Sequence, residues 1–191
     1  MNIELKWDGP LRLFDREQNI SDVLQQNYEN KKGVYLFGCK YKDSYIINYV
    51  GKADNILKRM REHIVCTLGG AYRLLDYSKI KNNGITESRY QLENDLSIKK
   101  YLENFKELSE LAFQNVISAT VFIACSQDNQ IISLKLIESA FINFFQNNDN
   151  SKSHISNYGV SKYNDTGEVI TIKSLFNSGV QILGNPIIIE Y

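Results

Sequence analysis

Apolar and polar positions alternate along several short stretches of the chain, as they do on strands with one buried face. The stretch IELKW alternates in this way and stops at the turn signal Asp8-Gly9-Pro10. GVYLFGC and SYIINYVG are rich in β-branched and aromatic residues and are separated by the polar KYKDS, so together they predict a β-hairpin. NVISATVFIAC predicts a further buried strand, and VITIKSLF, VQIL and PIIIEY predict short strands near the C-terminus.

Four other stretches repeat apolar residues at helical spacing. SDVLQQNYEN predicts a helix with Ser21 as its N-cap, and DNILKRMREHI predicts one that is capped by Asp54 and stops at Gly69-Gly70. LSIKKYLENFKELSELAF and the largely apolar IISLKLIESAFINFF predict two more helices. Residues 71–94 are polar and mixed, and the Asn- and Ser-rich stretch QNNDNSKSHISNYGVSKYNDTG predicts a loop.

The order of these elements predicts the fold class. A hairpin and a helix are followed by a mixed segment, a strand, a helix and a β-rich tail at about residues 165–191. This order indicates an α+β (mixed α/β) fold, in which a small central antiparallel sheet is flanked by helices. A chain of 191 residues with 43% hydrophobic content suits one domain, because that length buries most of its apolar surface around a single core.

The cysteines and the N-terminal residues indicate a cytoplasmic protein without a membrane segment. Cys39, Cys66 and Cys125 leave at least one thiol unpaired and have no metal-binding spacing, so we expect free thiols in a reducing compartment. The N-terminus has no charged segment followed by an apolar one, and no run of about 18 apolar residues occurs.

Positive charge is concentrated in one short segment. Over the whole chain 22 Lys and Arg balance 22 Asp and Glu, so the total charge gives no indication of nucleic acid. One segment, however, carries four cations and one acid, namely Lys52, Lys58, Arg59 and Arg61 against Asp54. Because the planar fork of arginine pairs with two oxygens of one anion, this segment predicts a phosphate site; a solvated helix face is the alternative interpretation.

Two tyrosines and two residues of the following helix are candidates for a site beside this segment. Tyr35 and Tyr49 each stand beside a glycine, in GVY and YVG, on the two strands of the predicted hairpin. Arg59 and His63 are four residues apart and share one side of the helix, which we place opposite the apolar side that carries Met60. The tyrosines have a simpler interpretation, because aromatic cross-strand neighbours are common in hairpins.

Glu138 is the most informative single residue. It falls within the apolar stripe of its predicted helix, formed by Ile131, Leu134, Ile137, Phe141 and Phe145. A carboxylate directed at a core cannot stay ionised without a compensating cation. The cation is either a basic side chain, which gives a structural ion pair, or a divalent metal such as Mg²⁺, which keeps most of its waters and needs only one protein carboxylate.

Taken together, GVY, YVG, Arg59 with His63 four residues later, and Glu138 on a helix after a third strand resemble the GIY-YIG nuclease family. The similarity covers Gly33 to about Asn150 and is interrupted by an insert at about residues 66–114, which is longer than the compact family core needs. The pair of tyrosine motifs is short, and the continuation YVGKADNILKRMREH with the later glutamate makes the match specific.

The resemblance implies a central three-stranded antiparallel sheet and hydrolysis of DNA phosphodiesters with one divalent metal ion, Mg²⁺ or Mn²⁺. By that resemblance Tyr35 deprotonates or orients the attacking water with Tyr49 as its support, and Arg59 holds the phosphate. His63 assists at the nucleophile or the leaving group, and Glu138 binds the metal. Because a tyrosine is a poor base near neutral pH unless cations lower its pKa, Lys52 is a candidate for that help, as is a metal-bound water. Lys52 is also a candidate for contacting substrate.

The family commonly carries an asparagine after the glutamate helix, and spacing favours Asn150 as a substrate-binding residue. Asn147, Asn148, Asn157 and Asn164 compete with it, because the segment lacks the proline that often marks this turn. His154 we interpret as an ordinary loop residue. A catalytically idle domain that binds nucleic acid or a protein partner is the main alternative, a small-molecule hydrolase is a remote one, and an RNA substrate stays open beside DNA.

Overall fold

The computed structural model describes residues 1–15, 17, 21–25, 28–91, 95–126, 133–157 and 169–191, which form nine strands and six helices. The strands are β1 (Asn2–Lys6), β2 (Asp8–Arg12), β3 (Gly33–Tyr41), β4 (Ser44–Ala53), β5 (Leu74–Leu75), β6 (Ser88–Tyr90), β7 (Thr120–Cys125), β8 (Thr171–Leu175) and β9 (Ile188–Glu190). The helices are α1 (Asp22–Gln25), α2 (Ile56–Leu68), α3 (Tyr77–Asn83), α4 (Asp95–Glu103), α5 (Phe105–Ser118) and α6 (Leu134–Asn147).

The central sheet has the strand order β2-β7-β3-β4, and each neighbouring pair is antiparallel. The predicted hairpin forms its β3 and β4, with Gly33 opposite Ala53 and Tyr41 opposite Ser44. The α+β class with a small central antiparallel sheet is therefore confirmed. The resemblance implied three strands, and the chain supplies them as β7, β3 and β4 with β2 added at the edge beside β7.

Different elements cover the two faces of this sheet. Helix α6 and a second sheet of order β1-β8-β9 pack on one face and bury Trp7, Phe122 and Phe141. Helices α1, α2 and α5 contribute to the core on the other face, which buries Tyr35 and Met60. Since alternate residues of a strand point to opposite faces, β3 and β4 supply side chains to both cores.

The C-terminal tail is β-rich in part. VITIKSLF contains β8, which pairs in parallel with β1, and PIIIEY contains β9, which pairs antiparallel with β8. VQIL is not a strand, and its pairing is an isolated bridge between Ile182 and Tyr45. The first part of the tail, at residues 165–168, lies outside the described residues.

The turn predicted at Asp8-Gly9-Pro10 is wrong, because these residues begin β2. Gly9 has φ +140°, and a Cβ there would lie 2.9 Å from the carbonyl oxygen of Val121, so glycine lets the strand approach β7 closely. Pro10, which lacks an N–H, is tolerated because β2 is an edge strand.

Several helix boundaries also differ from the prediction. Ser21 caps α1 as expected, since its hydroxyl accepts from the backbone N–H of Leu24. Helix α2, however, is capped by Asn55, whose side chain accepts from the N–H of Lys58, and not by Asp54. The long helix predicted from LSIKKYLENFKELSELAF breaks at Asn104 into α4 and α5.

The strand predicted to start at Asn115 starts at Thr120, because α5 continues to Ser118. Asn115 is buried in the last turns of α5, and its amide accepts from the N–H of Leu75 and donates to the carbonyl of the same residue. A helical position for Asn115 thus attaches the insert to the central core. The insert itself is mixed, with the strand pair β5-β6 beside α3 and α4.

The cysteines are free, as predicted: Cys39 is buried, and Cys66 and Cys125 are half-buried. Among the helices that the structure describes, none is long and apolar enough to cross a membrane.

Candidate functional site

The glycine of YVG makes room for the tyrosine of GVY. Tyr35 stands directly opposite Gly51 across the β3–β4 ladder, and Phe37 stands opposite Tyr49. A Cβ at Gly51 would lie less than 3.0 Å from three side-chain atoms of Tyr35, including the hydroxyl oxygen. The ring of Tyr35 therefore occupies the space that a side chain at Gly51 would need, and Tyr35 is 0% exposed. This packing explains why the two motifs occur as a pair.

A chain of hydrogen bonds joins Arg59, Tyr35 and His63. The Nε of Arg59 donates to the Tyr35 hydroxyl oxygen over 3.2 Å, and that hydroxyl lies 2.9 Å from Nε2 of His63. Because a guanidinium only donates, the Tyr35 oxygen accepts from Arg59. In the His63 tautomer that carries its proton on Nδ1, the Tyr35 hydroxyl donates to Nε2. Tyr49 completes the cluster, with ring centroids 6.2 Å from Tyr35 and 5.8 Å from His63.

The helix face that carries this cluster is not the one predicted. The buried residues of α2 are Ile56, Met60 and His63, so His63 shares a face with Met60 instead of lying opposite it. His63 is only 8% exposed and packs 4.6 Å from the Phe37 ring. The prediction is wrong because the spacing of aliphatic residues does not reveal a buried histidine, and a neutral histidine with a hydrogen-bond partner can be buried beside them.

The electrostatics keep Tyr35 protonated and His63 neutral. Burial raises the pKa of Tyr35 well above its usual value, the neighbouring Tyr49 adds to the rise, and Arg59 opposes it without overcoming it. Burial, and secondarily the charge of Arg59, lowers the pKa of His63 to about 3. The cation beside Tyr35 is therefore Arg59, and the expectation that a nearby cation brings its pKa down is wrong, because desolvation is the larger effect.

Lys52 lies with Glu138, on the other face of the sheet. Its Nζ is 3.6 Å from Oε2 of Glu138, with the two side chains 40% and 20% exposed. Burial raises the pKa of Glu138, against the lowering effect of Lys52 and Lys135. Glu138 is half-buried in α6, in agreement with its predicted place in the apolar stripe. Of the two compensating cations considered from the sequence, a basic side chain and a metal, the structure contains the basic side chain, Lys52. Lys52 therefore pairs with Glu138 and not with Tyr35, whose pKa it was expected to lower.

Glu138 offers one oxygen ligand to a metal. The described residues contain no group of three or more His, Cys, Asp or Glu side chains that could hold an ion. One carboxylate suffices for Mg²⁺ only where water and substrate oxygens complete the octahedron. Lys52 already balances the charge of Glu138, so a metal would have to compete with it. The donor set thus fits a weakly held ion that binds together with a phosphate.

A positively charged cleft of about 740 Å³ runs from the β4–α2 connection to the first turn of α6. Its cationic wall contains one arginine and four lysines: Lys32, Lys52, Lys58, Arg59 and Lys135. Two acids, Asp54 and Glu62, also line it, and Glu62 pairs with Arg59 over 3.1 Å. Three of the four cations predicted from the sequence line this cleft. Arg61 is exposed and is not among its lining residues.

We call this space the lysine cleft. Its wall contains Arg59, which bonds to Tyr35, and Lys52, which pairs with Glu138. The other candidate residues, Tyr35, Tyr49, His63 and Glu138, are not among its lining residues. Sequence reasoning missed Lys32 and Lys135, which are distant from the 51–61 segment along the chain. The sequence did contain a signal for Lys32, because it directly precedes GVY. In an antiparallel hairpin, the residue before the first strand lies at the same end of the sheet as the residues that follow YVG on the second strand.

The asparagines after α6 have clearly different roles. Asn150 is exposed in a turn, where its N–H donates to the side chain of Asn148. This turn follows the C-terminal end of α6, about 14 Å along the helix axis from Glu138. Asn157 instead binds the backbone of Val50, accepting from its N–H over 2.9 Å and donating to its carbonyl over 2.8 Å. Asn157 is therefore the asparagine next to Tyr49 and Gly51.

The role of Asn150 in substrate binding stays a prediction, and no contact of it with the other candidate residues is among those described. The side-chain amides of Asn147 and Asn148 stabilise the end of α6. Asn147 donates to the carbonyl of Asn143, and Asn148 donates to the carbonyl of Gly184. Asn164 lies outside the described residues. His154 contacts the insert, with Nδ1 2.9 Å from the hydroxyl of Thr86.

No protein-family model, curated protein or solved structure matches this chain. The relation to GIY-YIG nucleases therefore stays a prediction that rests on the residues and geometry given above.

Proposed function

We propose that this protein is a divalent-metal-dependent endonuclease of the GIY-YIG type that hydrolyses phosphodiester bonds in DNA. The observation that supports it most is the hydrogen-bonded chain that starts at Arg59, a residue of the wall of the lysine cleft, and continues through the buried Tyr35 to His63. Phosphodiester hydrolysis needs positive charge at the nonbridging oxygens, a positioned water and a route for its proton. Each requirement has a side chain in this part of the molecule.

Arg59 binds the nonbridging oxygens of the phosphate in this proposal, and the cleft lysines hold the flanking backbone. Tyr35 orients the attacking water and passes its own proton to Nε2 of His63 as it takes one from the water. Burial and, secondarily, the charge of Arg59 lower the pKa of His63, and a phosphate beside Arg59 favours this transfer because it offsets the second of these effects. Glu138 would hold the metal ion, which when bound supplies positive charge to the phosphate and the leaving oxygen.

A cytoplasmic location is part of the proposal and is supported by the three free thiols.

The test is cleavage by the purified protein of supercoiled, linear, branched and single-stranded DNA and of RNA, with Mg²⁺, with Mn²⁺ and with a chelator. We expect metal-dependent cleavage of at least one DNA substrate. Glu138→Gln should abolish it and leave DNA binding intact, whereas Glu190→Gln, an exposed carboxylate on β9, should behave as the parent. Full activity of Glu138→Gln would contradict the metal role of Glu138.

A catalytically idle domain that binds nucleic acid is the second candidate, and two observations favour it. Glu138 is already paired with Lys52, and the Tyr35 hydroxyl is wholly buried, so both groups must be uncovered before they can act. The same assay separates the two candidates. Binding in the lysine cleft without cleavage of any substrate, with either metal, would support the idle domain.

A further inference from the structure

A second space, separate from the lysine cleft, lies between the hairpin, α2 and the insert. It has a volume of about 320 Å³, and Arg59 and His63 form part of its wall. Small-molecule sites commonly measure about 300–1,000 Å³, so this volume suits a ligand of one or two rings better than a peptide or an oligosaccharide. We call it the aromatic cavity.

The walls of the cavity are suited to a flat ligand. Phe37, Tyr49, His63, Tyr72 and Tyr77 all line it. His63 stands between two of them, 4.6 Å from the Phe37 ring and 5.1 Å from the Tyr72 ring, measured between centroids. Aromatic rings in such an arrangement bind planar, π-faced groups by stacking, as in proteins that bind unpaired bases.

Two polar atoms of residues that line the cavity lack hydrogen-bond partners within the described residues. The Oδ1 of Asn48 and the Nε of Arg73 are buried and have no hydrogen-bond partner there, and both residues line the cavity. Asn115, another lining residue, has both ends of its amide satisfied by Leu75. A buried acceptor and a buried donor without partners are costly, and a ligand that offers both a donor and an acceptor removes the cost once the two side chains turn their polar atoms to the cavity. The edge of a nucleobase offers both.

Arg59 relates the cavity to the lysine cleft, since it lines both. A phosphate held at Arg59 therefore leaves a neighbouring nucleoside within reach of the cavity. We propose that the aromatic cavity binds one nucleobase that is unstacked from its neighbours, so that the substrate carries an unpaired or extruded nucleotide beside the phosphate. This inference rests on the proposed function for the phosphate site. It identifies the substrate class as DNA with a bulged, flipped or single-stranded base.

The test measures DNA affinity in the presence of a chelator, where no cleavage occurs, by fluorescence anisotropy. Three duplexes are compared: one with a single-nucleotide bulge, one fully paired, and one whose bulge carries an abasic analogue. We expect the bulged duplex to bind about 5- to 150-fold more tightly than the abasic one, which is the range for stacking of one base. Equal affinity for the bulged and abasic duplexes would overturn the proposal.

Variants locate the effect. Tyr72→Leu and Arg73→Met should reduce the ratio of bulged to abasic affinity towards one, and Tyr72→Phe, which keeps the ring, should preserve it. Arg61→Met, an exposed arginine of α2 outside the cavity, is the matched control, and it should weaken both duplexes equally. An unchanged ratio in both Tyr72→Leu and Arg73→Met would place the base elsewhere and refute the assignment.

Free nucleosides distinguish a base within DNA from a base alone. A nucleoside that binds to the parent, fails to bind to Tyr72→Leu and is not displaced by the bulged duplex would make the cavity a nucleotide site unrelated to the cleft, and would overturn the proposal. Failure of the nuclease proposal gives a different result. Tighter binding of the bulged than of the abasic duplex, without cleavage of any substrate, would support the base site and contradict the nuclease proposal. Cleavage with equal affinity for the two duplexes would support the nuclease proposal and contradict the base site.

Discussion

Replacement of Gly51 with alanine tests the packing that links the two tyrosine motifs. The added Cβ would lie less than 3.0 Å from three atoms of Tyr35, whereas carbon atoms pack best at about 3.5–4.0 Å. The ring must therefore move by at least about 0.5 Å. It has little room, because the rings of Phe37 and His63 lie 5.7 and 5.5 Å from its centroid.

Two costs add to the predicted loss of stability. Overpacking of a core costs about 1–3 kcal/mol, and loss of the Tyr35–His63 hydrogen bond adds about 0.5–1.5 kcal/mol. We expect Gly51→Ala to lower the free energy of unfolding by about 1.5–4.5 kcal/mol. For a chain of this length that corresponds to a fall in Tm of about 3–18 °C.

Urea denaturation and thermal unfolding would measure the change, with Gly69→Ala as the control. A Cβ at Gly69 meets only the Val65 carbonyl oxygen, at 3.2 Å, so that variant should lose at most about 1 kcal/mol. Combining Gly51→Ala with Tyr35→Leu removes the ring that the Cβ meets. The double variant should therefore be more stable than the sum of the single changes predicts, by at least about 1 kcal/mol. Additive effects, or a Gly51→Ala variant as stable as the parent, would refute the reasoning.

Three further predictions concern single side chains. Asn157→Ala removes two hydrogen bonds to a buried backbone and should lower the free energy of unfolding, measured in urea, by about 1–3 kcal/mol. Asn150→Ala should change it by less than about 0.5 kcal/mol. Equal effects of the two changes would contradict the assignment of Asn157. The pKa of His63 is depressed to about 3, so the unfolded chain binds the extra proton first and stability should fall by up to about 1.4 kcal/mol per pH unit as pH drops from 6.5 towards 3. His63→Gln should lack that part of the slope, and identical slopes would exclude a neutral buried His63. Lys52→Met should increase the rise in Tm that Mg²⁺ produces, because it removes the competitor for Glu138, and a smaller rise than in the parent would show that Lys52 does not compete.

The hairpin could be predicted from the sequence because its information is local. β-branched and aromatic residues on either side of a polar turn determine both strands. The register could not be predicted in the same way, because it shifts by one residue between Phe37 and Gly38, and this shift places Gly51 opposite Tyr35. The lysine cleft could be predicted only in part. Lys52, Lys58 and Arg59 are neighbours along the chain, whereas Lys32 and Lys135 reach the cleft through the pairing of β3 with β4 and through the packing of α6.

The identity of buried polar residues could not be predicted from pattern alone. His63 and Asn115 interrupt apolar spacing, and each is buried because it finds a partner far away in sequence, Tyr35 for His63 and Leu75 for Asn115. The same is true of the aromatic cavity, since its wall joins the hairpin to the part of the insert around residues 71–91, whose sequence is polar and mixed. Long-range partners determine these positions, and no local window contains them.

The burial of Tyr35 constrains how a nuclease could use it. A tyrosine that is 0% exposed, with a pKa raised by desolvation, does not act as a free phenolate at neutral pH. Its hydroxyl is nevertheless the only described link between Arg59 and His63, so a proton can pass through it while the oxygen never carries a full charge. Under the nuclease proposal, substrate must draw Arg59 towards the phosphate and so open the hydroxyl to one water. Tyr35→Phe should then lose activity while retaining DNA affinity.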